Sequence, residues 1–273
     1  MKVTFYGTRG SIPTPGPDTV LFGGNTACVL LESGNHKLIL DSGTGIKLLG
    51  EQLASSDEKI HILLSHNHWD HIQGFPFFIL AYQAGRRIHI YSAPTEPSQH
   101  HAILEQMTQS FFPVPASKLM ADIKVHPLSE EIKELNINGF QIVCKHINHP
   151  NGGFAYKIRA QNKIVAYVTD NELFSTDNLK TTQSEWQTFL QDVDLLIHDA
   201  QYTDSEMPSK LGWGHSSIDQ AIALGQQAKV KQLILYSHAP ERKDSELEEV
   251  LANYDHTQAM RFDISREGQE IHL

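Results

Sequence analysis

Two cysteines in 273 residues, Cys28 and Cys144, exclude a disulfide framework and leave too few thiolates for a cysteine-built metal site. They lie far apart in apolar runs, which reads as buried thiols in a reducing compartment. No apolar stretch approaches membrane-spanning length. The opening Met1-Lys2-Val3-Thr4-Phe5-Tyr6 enters a β-like alternation without a charged head and apolar core, so the expectation is a cytoplasmic chain with no membrane partner. Runs of Lys or Arg are missing too. Against 22 basic side chains stand 32 acidic ones, a formal charge of −10, and a field of that sign repels extended nucleic acid. Linkers rich in Pro, Gly or Ser, low-complexity tracts and fixed-period repeats are absent, so residues 1–273 read as one domain.

What is present is an alternation of apolar strands and short helices. Strands are predicted over 2–7, 26–32, 37–40, 60–64, 87–92, 140–145, 154–159, 164–169, 194–198 and 232–236, with glycine turns near Gly23-Gly24 and Gly34. Helices are predicted over 46–54, 72–83 (despite Pro76), 100–109, 184–191, 217–228 and 245–254. Strands in both halves with helices outside them indicate a layered α/β sandwich of two sheets packed face to face.

The densest chemistry is His66-Asn67-His68-Trp69-Asp70-His71, which follows the apolar run at 60–64. Along an extended segment side chains two apart share a face, so His66, His68 and Asp70 converge, and a turn into a helix brings His71 round to them. Imidazoles with a carboxylate suit zinc or a similar transition metal. A histidine-rich loop without function is the bland alternative in a chain with 16 histidines. Further His and Asp residues close other apolar strands: His149, Asp170 and His238. Strand ends on one rim let distant segments meet, and these groups suffice for two metals.

With these residues in place, the chain resembles the metallo-β-lactamase superfamily, marked by His-x-His-x-Asp-His followed by His, Asp and His at strand ends. The resemblance implies a four-layer αββα sandwich and two divalent metal ions, zinc first and manganese as the alternative. It assigns His66, His68 and His149 to one metal, Asp70, His71 and His238 to the other, and Asp170 as the bridge. His146 is the rival of His149, which is preferred because it precedes Pro150-Asn151-Gly152-Gly153. The superfamily's lactamases commonly use cysteine where Asp170 stands, and its flavodiiron members carry glutamate where His68 stands. This chain does neither, which favours hydrolysis with two zincs and a bridging hydroxide oriented by Asp70.

The segments Ile197-His198-Asp199-Ala200-Gln201 and Gly212-Trp213-Gly214-His215-Ser216-Ser217 are similar to the RNase Z-like phosphodiesterase branch. Carried over, Asp199 orients His215 and His215 is the general acid, although the branch's usual glutamate is here the shorter Asp199. A bland reading makes His215 a neighbour of a helix cap at Ser217. The opening Gly7-Thr8-Arg9-Gly10-Ser11-Ile12-Pro13, the Gly23-Gly24-Asn25-Thr26 turn and Ile72-Gln73-Gly74-Phe75-Pro76 after the cluster resemble a group that includes the anti-Pycsar phosphodiesterases. That likeness implies a 3′,5′-cyclic nucleotide as the small-molecule partner, opened to the linear monophosphate, and a homodimer. The alternatives are an RNase Z-like tRNA 3′-end endonuclease and a thioester or lactone hydrolase. The short connections between His149, Asp170 and Asp199 leave no room for the long tRNA-gripping arm of the endonucleases.

Some residues carry two readings at this stage. Arg9 and its turn would offer a phosphate contact or merely a structural turn. Asp41 is a candidate to fix a histidine tautomer or a plain turn former. Trp69, Phe75, Phe112 and Trp213 would wall a base pocket or fill core. The stretch at 111–115 would line a pocket, pack the core or meet a second subunit.

Overall fold

A computed structural model describes residues 1–93, 101–177, 179–254 and 259–273. Two seven-stranded sheets carry the chain. The first contains β1 (Lys2–Gly7), β2 (Cys28–Ser33), β3 (His36–Leu40), β4 (Ile60–Leu63), β5 (Arg87–Ser92), β6 (Asp122–Pro127) and β14 (Glu270–His272), in the order β14-β1-β2-β3-β4-β5-β6. The second contains β7 (Glu134–Ile137), β8 (Phe140–His146), β9 (Phe154–Ala160), β10 (Lys163–Val168), β11 (Leu195–Asp199), β12 (Gln232–Tyr236) and β13 (Arg261–Ile264), in the order β13-β12-β11-β10-β9-β8-β7. Each sheet is antiparallel on one side and parallel on the other: β3 to β6 in the first, β10 to β13 in the second.

Strand alternation sorts side chains into layers. Val29, Leu31, Leu38 and Leu40 of the first sheet meet Tyr156, Ile158, Val165 and Ile197 of the second in a shared core. On the outer face of the first sheet, Leu30, Ile39, Ile62 and Ile88 pack with Ile46 and Leu49 of α1 (Ile46–Leu53). On the other outer face, Val168, Leu196 and Leu235 meet Trp186 of α4 (Gln183–Leu190), Ala221 and Leu224 of α5 (Ile218–Gln227) and Leu247 of α6 (Asp244–Asn253). Strands buried on both faces explain the near-continuous apolar runs. The result is the expected four-layer αββα sandwich, two mixed sheets between helical layers.

Some expected elements differ. Only α2 (Trp69–Ile72) and two single 3-10 turns, Phe75–Phe77 and Ile79–Tyr82, occupy the stretch expected as a helix over 72–83. Pro76 lacks the N–H that a continuous helix needs. The helix expected over 100–109 is confined to α3 (Ala102–Glu105), and its first expected residue, His100, lies outside the described residues. Strands β6, β7, β13 and β14 had no counterpart in the sequence reading. The parallel strands all run the same way in their own sheet, so their C-terminal ends form one rim. Asp41, His66 to His71, Asp170 and Asp199 all leave from such ends.

Candidate metal centre

The loop after β4 turns into α2 at His68, and the turn is locked from below. Asp41, just past β3, adopts φ +60°. Its Oδ1 accepts from Ser65 N at 2.7 Å, and its Oδ2 accepts from Ser65 Oγ and Tyr167 Oη, both at 2.8 Å. His71 Nδ1 lies 2.8 Å from the same Oδ2. This fixes the ring with Nε2 pointing the other way, toward Asp70 Oδ2 at 3.4 Å and Asp170 Oδ2 at 3.3 Å. The sequence's candidate orienting residue, Asp41, is thus in direct contact with a cluster histidine.

His66 and His149 are held by the same device. Ser65 Oγ lies 3.0 Å from His66 Nδ1, and Gly214 O lies 2.9 Å from His149 Nδ1, leaving both Nε2 atoms inward. His149 Nε2 faces His68 Nδ1 at 2.8 Å, and His66, His68 and His149 form one group of potential ligands. Asp170 Oδ2 is the common point, 3.6 Å from His66 Nε2 and 3.9 Å from His149 Nε2. Asp170 has φ +49°, a conformation uncommon for a residue with a side chain and concentrated at functional sites. Asp70 is buried, and Ser11 N donates to its Oδ2 at 2.7 Å.

These donors fit divalent ions. His66 Nε2 and His71 Nε2 are buried without a hydrogen-bond partner, although each faces a carboxylate. Two ligands of one tetrahedral zinc at about 2.0–2.1 Å stand about 3.3–3.4 Å apart, close to the spacing of His71 Nε2 from Asp70 and Asp170. Burial holds His66 well below its usual range and pushes His149 down to about 3, so both rings present lone pairs at neutral pH. For His71 burial works against the charged ring, but Asp170, Asp70 and Asp41 outweigh it and raise its pKa.

The contacts above gather His66, His68, Asp70, His71, His149 and Asp170. His238 is buried, but its Nε2 is 3.0 Å from Ser265 O and 3.1 Å from Ser265 Oγ. The three tightest clusters of potential ligands among the described residues include neither His238 nor Asp70, and Asp70 joins through its 3.4 Å approach to His71 Nε2. Its backbone is pinned as well, with its N–H donating to Thr8 O and its carbonyl accepting from Gly10 N. The place beside Asp170 is shared by His215, whose Nε2 lies 4.0 Å from Asp170 Oδ2. His146, the rejected rival, points elsewhere, with Nε2 2.9 Å from Glu130 O.

His215 Nδ1 is 3.3 Å from Asp199 Oδ1, and Asp199 Oδ2 also accepts from Ser216 N at 2.8 Å. Burial disfavours a charge on His215, but the Asp199 and Asp170 carboxylates outweigh it and push its pKa up to about 9. Two features of the sequence went unread. Buried Glu172 accepts from Gly212 N and Gly214 N, both at 3.0 Å, and so holds the loop that carries His215. Gly214 has φ +88°, and a Cβ there would collide with His149 Nδ1. The phosphate reading of Arg9 fails: the side chain is fully buried and donates to Gly23 O, Ala239 O and Arg242 O. Of the expected pocket aromatics, Phe75 is core, whereas Trp69 and Trp213 are 68 % and 56 % exposed beside the ligand loops.

Residues 36–238 match the family described as the Beta-lactamase superfamily domain. Ribonuclease Z of Picrophilus torridus is 22% identical over 285 residues, covering 90% of this chain and 88% of the relative. The metallo-beta-lactamase fold protein YhfI from Bacillus subtilis superposes with a TM-score of 0.70 at 18% identity, covering 99% of this chain and 98% of that one. A diphosphatase from the PhnP family gives a TM-score of 0.70 at 16% identity, with 100% and 97% covered. The matched span includes His66 to His71, His149, Asp170, Asp199 and His215, and the chain belongs to the β-lactamase superfamily.

Proposed function

We propose that the protein is a two-metal phosphodiesterase that opens 3′,5′-cyclic nucleotides to linear monophosphates. The observation that carries this reading is the Asp199–His215 pair, with His215 Nε2 facing Asp170 beside the metal ligands. A pair of divalent ions held by His66, His68, His149, Asp70, His71 and Asp170 would neutralise phosphate charge and acidify water. A water oxygen forms the new bond to phosphorus as the P–O3′ bond breaks, and the proton it loses passes to solvent, from which His215 is reprotonated after turnover. His215 then gives the proton of its Nε2 to the departing O3′, and Asp199 keeps the ring oriented and charged. Relatives described as a ribonuclease and a diphosphatase support P–O chemistry over thioester or lactone cleavage. Exposed Trp69 and Trp213 offer faces for a base.

A tRNA endonuclease is the second reading, favoured by the Ribonuclease Z relative that spans 90% of the chain. The net charge of −10 opposes it. Self-association belongs to the same proposal, with Phe111, 86 % exposed, and the Phe77–Phe112 ring pair as the apolar contact. Among the described residues no helix is long and apolar enough to cross a membrane. The deciding experiment incubates zinc- or manganese-loaded protein with cyclic AMP, GMP, UMP and CMP, a bis-phosphodiester and precursor tRNA, followed by chromatography. Conversion of cyclic mononucleotides is expected; cleavage of the tRNA alone would transfer the assignment to the second reading.

A further inference from the structure

The turn after β1 carries a strained residue at an exposed apex. Ser11 has φ +66°, and Ile12 N donates across it to Gly10 O at 2.8 Å. This is a γ-turn of positive φ, a rare and strained conformation for a residue with a side chain. Three consecutive residues anchor it. Arg9 donates to the carbonyls of Gly23, Ala239 and Arg242, Gly10 N donates to His238 O at 2.9 Å, and Ser11 N donates to Asp70 Oδ2 at 2.7 Å. A Cβ on Gly10 would strike Gln201 Nε2 and Ser237 Oγ, so only glycine lets the turn sit this close to its neighbours. The side chain of Ser11 is nevertheless exposed and gains no burial in return for the strain. Strain held this firmly beside a candidate metal ligand points to a use for the exposed group.

We infer that the Ser11 hydroxyl is the phosphate contact of this turn, donating to a non-bridging oxygen of the substrate. The inference rests on the phosphodiesterase reading above. Two neighbours place the residue. The Asp70 oxygen that accepts from Ser11 N lies 3.4 Å from His71 Nε2, so Ser11 stands against the candidate metal ligands. From the other side Gln201 Nε2 donates to Ser11 Oγ at 3.3 Å, and Gln201 follows closely on Asp199, the partner of His215. The hydroxyl oxygen accepts from the protein, and its own proton is left to donate outward. A donor fixed before the substrate arrives needs no reorganisation to meet a phosphate oxygen. Arg9, the cation of the same turn, commits its donors to carbonyls, so the hydroxyl is the side-chain group that this turn offers.

The test compares Ser11→Gly and Ser11→Ala with wild-type full chain, each loaded with zinc or manganese. Glycine removes the hydroxyl, keeps the N–H for Asp70 and relieves the positive φ, so metal content after dialysis is expected to match wild type. KM and kcat are measured with cyclic AMP and with an activated phenolic diester, and calorimetry gives the Kd of inorganic phosphate. Both variants are expected to raise KM and the phosphate Kd about tenfold, the cost of one hydrogen bond to a charged group. The kcat is expected to change far less, as for a contact made equally in the ground and transition states. Gln201→Ala, which frees the hydroxyl without removing it, should raise KM by a smaller factor. Ser11→Ala serves if Ser11→Gly fails to fold, as judged by circular dichroism. Wild-type KM and phosphate affinity in a folded Ser11 variant overturn the inference. So does a rise seen only together with loss of metal, which would make Ser11 a support for Asp70 alone. Wild-type protein that holds two ions and turns over neither diester would instead overturn the phosphodiesterase reading, and the phosphate affinities would still judge Ser11.

Discussion

Asp41 Oδ2 and His71 Nδ1 are 2.8 Å apart, and this contact ties the two sheets to the cluster. The same oxygen accepts from Tyr167 on β10 and from Ser65 at the exit of β4, so one buried carboxylate sets the loop, the ring and the facing sheet together. Asp41→Asn places an amide NH2 where acceptors are needed, against Ser65 and His71. Metal affinity is expected to fall about 10–100-fold, read by chelator competition, with a loss of about 1–3 kcal/mol in urea unfolding.

His215→Ala is expected to cut turnover of a cyclic mononucleotide by about 10²–10⁴-fold while metal content is retained. A diester with an activated phenolic leaving group, which departs without a proton, should lose far less. The pH profile carries the same signature. A general acid whose pKa is pushed up to about 9 is active below that value and is lost as pH rises through it. The alkaline limb should vanish in His215→Ala, and an alkaline limb that survives the substitution would remove His215 from the role.

Gly214→Ala asks for a Cβ where His149 Nδ1 lies, at φ +88°. The histidine must move off the Gly214 carbonyl or the loop must shift. Either response should weaken the first metal by about 10–100-fold and disturb His215 one residue on. Equilibrium dialysis with zinc measures it, and wild-type affinity in this variant would show that the carbonyl does not orient His149.

Metal-free protein is expected to lose stability in mild acid. Burial pushes His198 down to about 4 and His238 to about 3, whereas both titrate near about 6.5 when unfolded. The unfolded chain therefore binds protons first, and stability falls as pH drops from about 6.5 toward 3–4, by up to about 1.4 kcal/mol per pH unit for each ring. His215 has the opposite sign: with its pKa raised to about 9, its contribution is complete below about 6.5 and fades as pH climbs through 9. Urea midpoints across pH 4–9 read both, and His198→Gln should flatten the acid limb by about one proton.

The cluster at His66 to His71 was legible because ligand spacing is written locally, and Asp170 and His149 because each closes an apolar run. Asp199 and His215 came from motif likeness, and the fold brings them together at 3.3 Å. Other features lie beyond local reading. The positive φ of Ser237, at the exit of β12 just before His238, has no signal in the residue types alone. Arg9 looked available for phosphate because its acceptors are carbonyls from Gly23, Ala239 and Arg242, two of them more than 200 positions away. The orienting group for His149 is a backbone oxygen, which has no letter in the sequence. Strands β6 and β7 escaped notice because they are partly exposed and polar, Asp122–Pro127 and Glu134–Ile137, and are recognised only by pairing with β5 and β8.

The most direct test of the central claim is phosphorus NMR of cyclic AMP turned over by the metal-loaded protein in ¹⁸O-enriched water. The expected result is loss of the cyclic ester signal and appearance of a linear monophosphate carrying one solvent oxygen on phosphorus, with a much slower reaction in His215→Ala. Cyclic AMP and its GMP, UMP and CMP counterparts left intact by protein shown to hold two ions would contradict it.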